Sequence, residues 1–235
     1  MLTPILSQKE LFDLLRIIQE SRRIVICGHR GPDGDAVGAS LGLAAYLRSL
    51  GKMVNIVMPN PFPDFLKWLP GASYVLFYDR RPDRVRQLVE QADLIFCLDF
   101  NSASRLEAMG PLITQARATR VMIDHHLDPD RDFVKVCISQ PQRSSTSELV
   151  FRVISQLGGM DNLSTDGAVS LYTGMMTDTG GFTYNSSDPE IYMIISQLLT
   201  KGFDKDKIYR NVFNNYSQSR LRLMGYLLHE KLQFL

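Results

Sequence analysis

Cysteine is scarce. The chain has 235 residues and three cysteines, with no C-x-x-C pair among them. Such spacing provides no disulfide framework. Cys27, Cys97 and Cys137 each lie in an apolar run and read as reduced thiols buried in strands. Charge of one sign is also lacking. The formal net charge is +1, so no global field draws the chain toward nucleic acid or a membrane, and a nucleic-acid substrate would have to be gripped locally. No apolar run approaches membrane-spanning length. The start, Met1-Leu2-Thr3-Pro4, does not read as a signal peptide. A cytoplasmic location and no membrane partner are therefore expected. Repeats and low-complexity segments are missing, and so is a G-x-G-x-x-G loop, because Gly28, Gly31 and Gly34 have the wrong spacing.

The remaining composition, 45% hydrophobic and 22% charged, is that of an ordinary soluble globular protein. The length suits one or two domains. Apolar periodicity predicts a helix over 8–21, a strand over 23–27 and a helix rich in small residues over 36–50. Such small residues would let that helix lie close to a sheet. Strands are expected at 53–58, 74–78, 94–98, 119–123 and 133–138. Helical segments are expected at 65–69, 81–91, 104–109 and 112–118. From residue 144 the pattern is helical, at 144–157, 164–177, 189–199, 205–213 and 218–235. Strands alternating with helices indicate an α/β fold with a parallel sheet flanked by helices, and the helix-rich C-terminal half should pack on one face or end of that sheet.

Four polar clusters end these elements. They are His29-x-x-x-Asp33-x-Asp35, Asp99, Asp124-His125-His126 and Asp178 in Thr177-Asp178-Thr179-Gly180-Gly181. Each has a plainer reading by itself. Asp33-Gly34-Asp35 could cap a helix, Asp99 could cap one starting at Ser102, and Asp178 could form an Asx-type turn. Their common position at the ends of elements favours one site, because parallel sheets bind ligands beyond the carboxyl ends of their strands. Asp33, Asp35, Asp99 and Asp178 together carry four negative charges, which cannot all persist at close range without cations. Oxygen and nitrogen donors without cysteine favour Mn²⁺ over structural zinc, with Mg²⁺, Co²⁺ or Fe²⁺ as substitutes. Two such ions roughly 3.5–4 Å apart clamp phosphoryl oxygens and acidify water, so the chemistry implied is phosphate ester or anhydride hydrolysis.

These motifs resemble the DHH phosphoesterase superfamily, named for the Asp-His-His found at Asp124-His125-His126. His29-Arg30-Gly31-Pro32-Asp33-Gly34-Asp35 is similar to its first motif, Asp99 with Arg105 to its second and Asp178 to its fourth. The resemblance implies one ion on His29, Asp33 and Asp99 and another on Asp35, Asp99, His125 and Asp178, with Asp99 shared. It implies that His126 faces the substrate phosphate, that Asp124 orients an imidazole, and that an activated water attacks. Asp-Gly-Asp at Asp33–Asp35 looks less like the inorganic pyrophosphatases, which carry Asp-Thr-Asp. The stretch Pro141-Gln142-Arg143-Ser144-Ser145-Thr146-Ser147-Glu148 is similar to the nanoRNase/pAp phosphatase branch, related to RecJ. That branch acts on short oligonucleotides and on pAp. Ser144, Ser145 and Thr146 would cap a helix there and could also offer donors to phosphate, with Arg143, Arg30 and Arg105 as further candidate phosphate contacts.

Two departures from the family stand out. Ala39 occupies a position where many relatives carry serine. Nothing matches the family's C-terminal, glycine-rich, histidine-bearing motif, and the last helix (Leu221, Leu223, Met224, Leu227, Leu228, Leu232, Phe234) is still amphipathic where the chain stops. The expectation is one DHH-type domain over 1–235, ending near the linker to a substrate-binding domain absent from this sequence. The expected activity is divalent-metal-dependent hydrolysis of short oligonucleotides or pAp-like nucleotides. The alternatives are another phosphoanhydride, a cyclic dinucleotide, or a binding module without turnover. A homodimer is compatible with the sequence and not specified by it.

Overall fold

In the computed structural model, six parallel strands form one sheet in the order β3-β2-β1-β4-β5-β6. They are β1 (Arg23–Cys27), β2 (Met53–Met58), β3 (Leu76–Phe77), β4 (Leu94–Leu98), β5 (Thr119–Asp124) and β6 (Val136–Ser139). The structure describes residues 2–233. From β1 the chain winds outward through β2 to β3, then returns to β4 and winds the other way. The reversal leaves a crevice between the ends of β1 and β4, the place where open α/β sheets bind ligands. The register pairs Cys27 with Cys97 and Leu98 with Ile123, which brings these strand ends level.

Helices cover both faces. α1 (Gln8–Glu20) starts at a capping box, in which the Ser7 hydroxyl accepts the Glu10 N–H and the Glu10 carboxylate accepts the Ser7 N–H. One face of the sheet packs Val25, Cys27, Ile95, Cys97 and Met122 against Val85 and Val89 of α3 (Pro82–Glu90) and Ile113 of α4 (Gly110–Thr114). The other face carries α2 (Gly34–Ser49) and α5 (Thr146–Gln156), with α6 (Thr165–Asp178) packed on both. α7 (Pro189–Leu199) packs on α5 and α6. α5, α6 and α7 thus gather on the α2 side of the sheet.

The small residues of α2 serve a second purpose beside the expected close fit to the sheet. They allow α2 to cross α6 at close range. A methyl group on Gly38 would lie 2.5 Å from the Ser170 carbonyl oxygen and 2.8 Å from the Gly174 nitrogen, and one on Gly42 would lie 2.5 Å from the Leu171 side chain. Several boundaries also differ. The strand expected over 74–78 is a 3₁₀ turn (Ala72–Tyr74) followed by a two-residue strand, because the turn takes up Tyr74 and leaves Leu76 and Phe77 to pair with Val57 and Met58. The helix expected over 112–118 begins earlier, with Pro111 in its first turn, and ends at Thr114.

The chain divides into two compact units, Met1–Phe203 and Asp204–Leu235. The second contains α8 (Lys205–Phe213), capped by Asp204, and α9 (Gln218–Tyr226), capped by Ser217. The last helix does not run on as expected. A π-helical turn occupies Leu227–Lys231 and Leu232 is extended, while Phe234 lies outside the described residues. No helix among the described residues is long and apolar enough to cross a membrane.

Candidate metal centre

Each strand beside the crevice delivers one polar cluster. His29 follows β1, Asp99 follows β4, Asp124 closes β5, and His125 and His126 come next. Asp33 caps α2, accepting the N–H groups of Asp35 and Ala36 at 3.0 Å each, and Asp35 lies in the first turn of that helix. Asp178 is the last residue of α6, brought in by the α2–α6 crossing rather than by a strand. Asp33 is therefore a cap, and also a member of the cluster. Asp99 does not cap the turn starting at Ser102, which has no side-chain cap.

The candidate ligand atoms converge. His29, Asp33 and Asp99 place one donor atom each within 4.8 Å of the others, and so do Asp35, His125 and Asp178, and Asp99, His125 and His126. His29 Nε2 stands 3.4 Å from Asp99 and 3.8 Å from Asp33. His125 Nε2 stands 3.4 Å from Asp178, 3.7 Å from Asp99 and 4.0 Å from Asp35. These separations are too long for good hydrogen bonds. The two 3.4 Å separations match donors about 2.1 Å from a shared ion, which stand about 3.0–3.5 Å apart at octahedral or tetrahedral angles, and the other three exceed that span by up to about 0.5 Å.

The histidine tautomers agree with this. His29 Nδ1 faces the Arg30 carbonyl at 2.8 Å and His125 Nδ1 the Arg143 carbonyl at 3.3 Å. A carbonyl only accepts, so each Nδ1 carries the proton and each Nε2 is turned to the carboxylates. Backing of this kind fixes an imidazole for metal binding. His126 differs, since its Nδ1 bonds the buried Asp124 carboxylate at 2.7 Å and its ring is partly exposed. Asp124 thus holds His126, and its second oxygen has no partner among the described atoms. Asp99 has φ of 65°, a left-handed conformation that a non-glycine residue adopts at a cost of about 1–3 kcal/mol.

Electrostatics point the same way. Burial alone would lower the His29 pKa, but the neighbouring Asp33 and Asp99 carboxylates push it up to about 10. Burial, followed by the charges of Asp99 and Asp178, holds Asp35 well above the carboxylate range. Burial lifts Asp178 to about 6, against the favourable charge of His125. The bond to Asp124 raises His126. Without a cation the cluster retains protons, as buried like charges must.

The sequence profile of the DHH family, N-terminal domain, matches residues 23–175. The chain belongs to the DHH family. Asp124-His125-His126 is the triad that gives the family its letters, and all four clusters lie on the shared sheet or its covering helices. The bifunctional oligoribonuclease and PAP phosphatase NrnA of Thermus thermophilus is 31% identical over 205 residues, covering 87% of this chain and 58% of its own length. The cyclic-di-AMP phosphodiesterase GdpP of Geobacillus thermodenitrificans is 28% identical, covering 86% of this chain and 32% of its own. Among solved structures, an exopolyphosphatase-related protein from Bacteroides fragilis is 51% identical with a TM-score of 0.96, covering 99% of this chain and 68% of that one. The chain thus spans a third to somewhat over half the length of these two curated relatives.

Several of the expected phosphate contacts have partners within the protein. Ser144, Ser145 and Thr146 are buried and their polar groups are engaged internally. Ser144 donates from its N–H and hydroxyl to Glu148, Ser145 caps α5, and Thr146 bonds Asp35 and Asp99. Arg143 pairs with Asp188 at 2.9 Å and Glu190 at 3.5 Å, and Arg30 pairs with Asp79 and Glu107. Arg105 is the exception. Its carbonyl accepts the Arg30 N–H, its charge reaches His126, and no ion pair holds its guanidinium among the described residues. Sequence reasoning passed over Ser147, whose N–H bonds Asp35, and the buried pair Glu148–Arg152 at 2.7 Å. The Ser-x-x-Glu capping pattern at Ser145–Glu148 was their only signal.

Proposed function

We propose that this DHH domain is a divalent-metal-dependent phosphoesterase that hydrolyses short oligonucleotides or pAp-like nucleotides. The observation that carries the reading is the pair of oxygen–nitrogen donor sets meeting at Asp99. His29, Asp33 and Asp99 would hold one ion, and Asp35, Asp99, His125 and Asp178 a second. Hard oxygen with imidazole donors suits Mn²⁺, with Mg²⁺, Co²⁺ or Fe²⁺ as substitutes. When bound, such ions supply Lewis acidity toward phosphoryl oxygen and lower the pKa of water.

The protein's own residues supply the rest. His126 presents Nε2 to the open side while Asp124 fixes its ring, so it can donate to a phosphoryl oxygen as charge grows there. Arg105, near His126 and without an ion pair among the described residues, offers a guanidinium to a substrate phosphate. The likeness to NrnA favours short oligonucleotides and pAp, and the likeness to GdpP supports a second reading, a cyclic dinucleotide. A binding module without turnover is the third.

The test is mononucleotide release from a short RNA, phosphate release from pAp, and opening of cyclic-di-AMP, each with Mn²⁺ and with a chelator. Asp99→Asn keeps the shape and removes the shared charge. Release that needs Mn²⁺ and is abolished in a folded Asp99→Asn variant is expected. Wild-type rates in that variant would sink the two-ion reading.

A further inference from the structure

Two buried carboxylates of the site, Asp35 and Asp99, are gripped from behind by a single residue. The Thr146 hydroxyl donates to Asp99 Oδ1 at 2.9 Å, and the Thr146 N–H donates to Asp35 Oδ2 at 2.6 Å. The Ser147 N–H adds a bond to Asp35 Oδ1 at 2.9 Å. Thr146, Asp35 and Asp99 are all buried. Among the described residues, no other hydroxyl or amide bonds the Asp99 carboxylate. Its backbone is in the left-handed region, so local preference does not orient it.

Thr146 is itself held firmly. The Ser145 hydroxyl accepts the Glu148 N–H at the start of α5. Glu148 accepts the Ser144 N–H and hydroxyl, and the buried Arg152 donates to Glu148 and Glu190 at 2.7 Å each. Glycine at position 174 leaves room for this element, because a methyl there would lie 2.0 Å from the Ser147 hydroxyl and 3.0 Å from Asp35 Oδ1.

We infer that Thr146 is a positioning residue, whose hydroxyl aims the shared carboxylate Asp99 at both donor sets and whose N–H ties that carboxylate's distance from Asp35 to the rigid start of α5. The inference rests on the metal-centre reading above. A hydroxyl on Asp99 Oδ1 takes one lone pair and leaves Oδ2 and the remaining lone pair of Oδ1 for cations. Residues that orient ligands in this way typically change metal affinity 10–100-fold when removed.

The test is calorimetric titration of Mn²⁺ into the metal-free protein, with thermal melting alongside. Thr146→Val removes the hydroxyl, retains the shape and leaves the N–H to Asp35. The expected result is Mn²⁺ affinity weaker by about 10–100-fold, restored by Thr146→Ser. A merely structural hydroxyl would move the melting temperature and leave Mn²⁺ affinity unchanged. Thr146→Ala is the second variant should the valine protein fail to fold. Wild-type Mn²⁺ affinity in either folded variant overturns the inference alone, whereas a wild-type protein that takes up no Mn²⁺ overturns the metal-centre reading and this inference with it.

Discussion

The inner and outer sides of the carboxylate cluster are built differently. On the inner side Asp35, Asp99 and Asp124 are buried, and their bonds run to Thr146, Ser147 and His126. On the outer side the Asp33 side chain is 58% exposed, that of His126 is 38% exposed, and Arg105 is exposed with no ion pair among the described residues. The contrast separates two tasks. Buried, bonded carboxylates cannot relax around a cation, so the inner side sets geometry. The outer side has room for a substrate. Mutations should therefore divide into those that alter cation uptake or folding and those that alter turnover alone.

The largest expected effect is on the outer side. His126→Ala should reduce turnover about 10²–10³-fold, the usual loss on removing one positioned donor to developing charge. Mn²⁺ uptake should persist, because His126 Nδ1 is committed to Asp124. Paired calorimetry and nucleotide-release assays decide this. A matching fall in Mn²⁺ affinity would place His126 among the ligands, which the Asp99–His125–His126 grouping allows.

A smaller effect is expected on the inner side, in folding. Glycine to alanine within a helix usually stabilises by up to about 1 kcal/mol. At Gly38 the sign should reverse, because the added methyl meets backbone atoms of α6, which cannot rotate away as a side chain could. Overpacking of this kind costs about 1–3 kcal/mol. Urea denaturation of Gly38→Ala measures it, and a gain in stability would mean that the crossing opens freely.

The strands and the four clusters were legible because apolar runs, turn residues and strand-end carboxylates are local signals. Their convergence was legible as chemistry, since four aspartates need cations wherever they meet. Contact direction was not. The glycines of α2 carry no mark of which neighbour they approach, so the α6 crossing came in addition to the expected sheet contact. Nor does spacing reveal that the hydroxyls of Ser144–Thr146 turn inward, or that Arg30 and Arg143 find acidic partners far away in sequence, at Asp79 and Asp188. Asp178 entered by its place after a helix, and only the fold explains how a helix end reaches a strand-end site.

The smallest expected effect, and the one that sharpens the inner–outer contrast, is the pH dependence of Mn²⁺ uptake. Cations and protons compete for the same atoms. His29, pushed up to about 10 by the neighbouring Asp33 and Asp99 carboxylates, binds a cation only after losing a proton, at any pH below that value. Asp178, lifted to about 6 by burial, must do so below pH 6. Raised values mean that the cation-free state holds protons, so affinity must rise with pH. Between pH 7 and 8 each displaced proton gives about tenfold per unit, or about 1.4 kcal/mol. Below pH 6 the slope should steepen as Asp178 joins. Calorimetric titrations in buffers of different ionisation enthalpy count the protons released. An affinity flat from pH 6 to 8 would mean that His29 is not a ligand, leaving Asp33 and Asp99 without an imidazole partner.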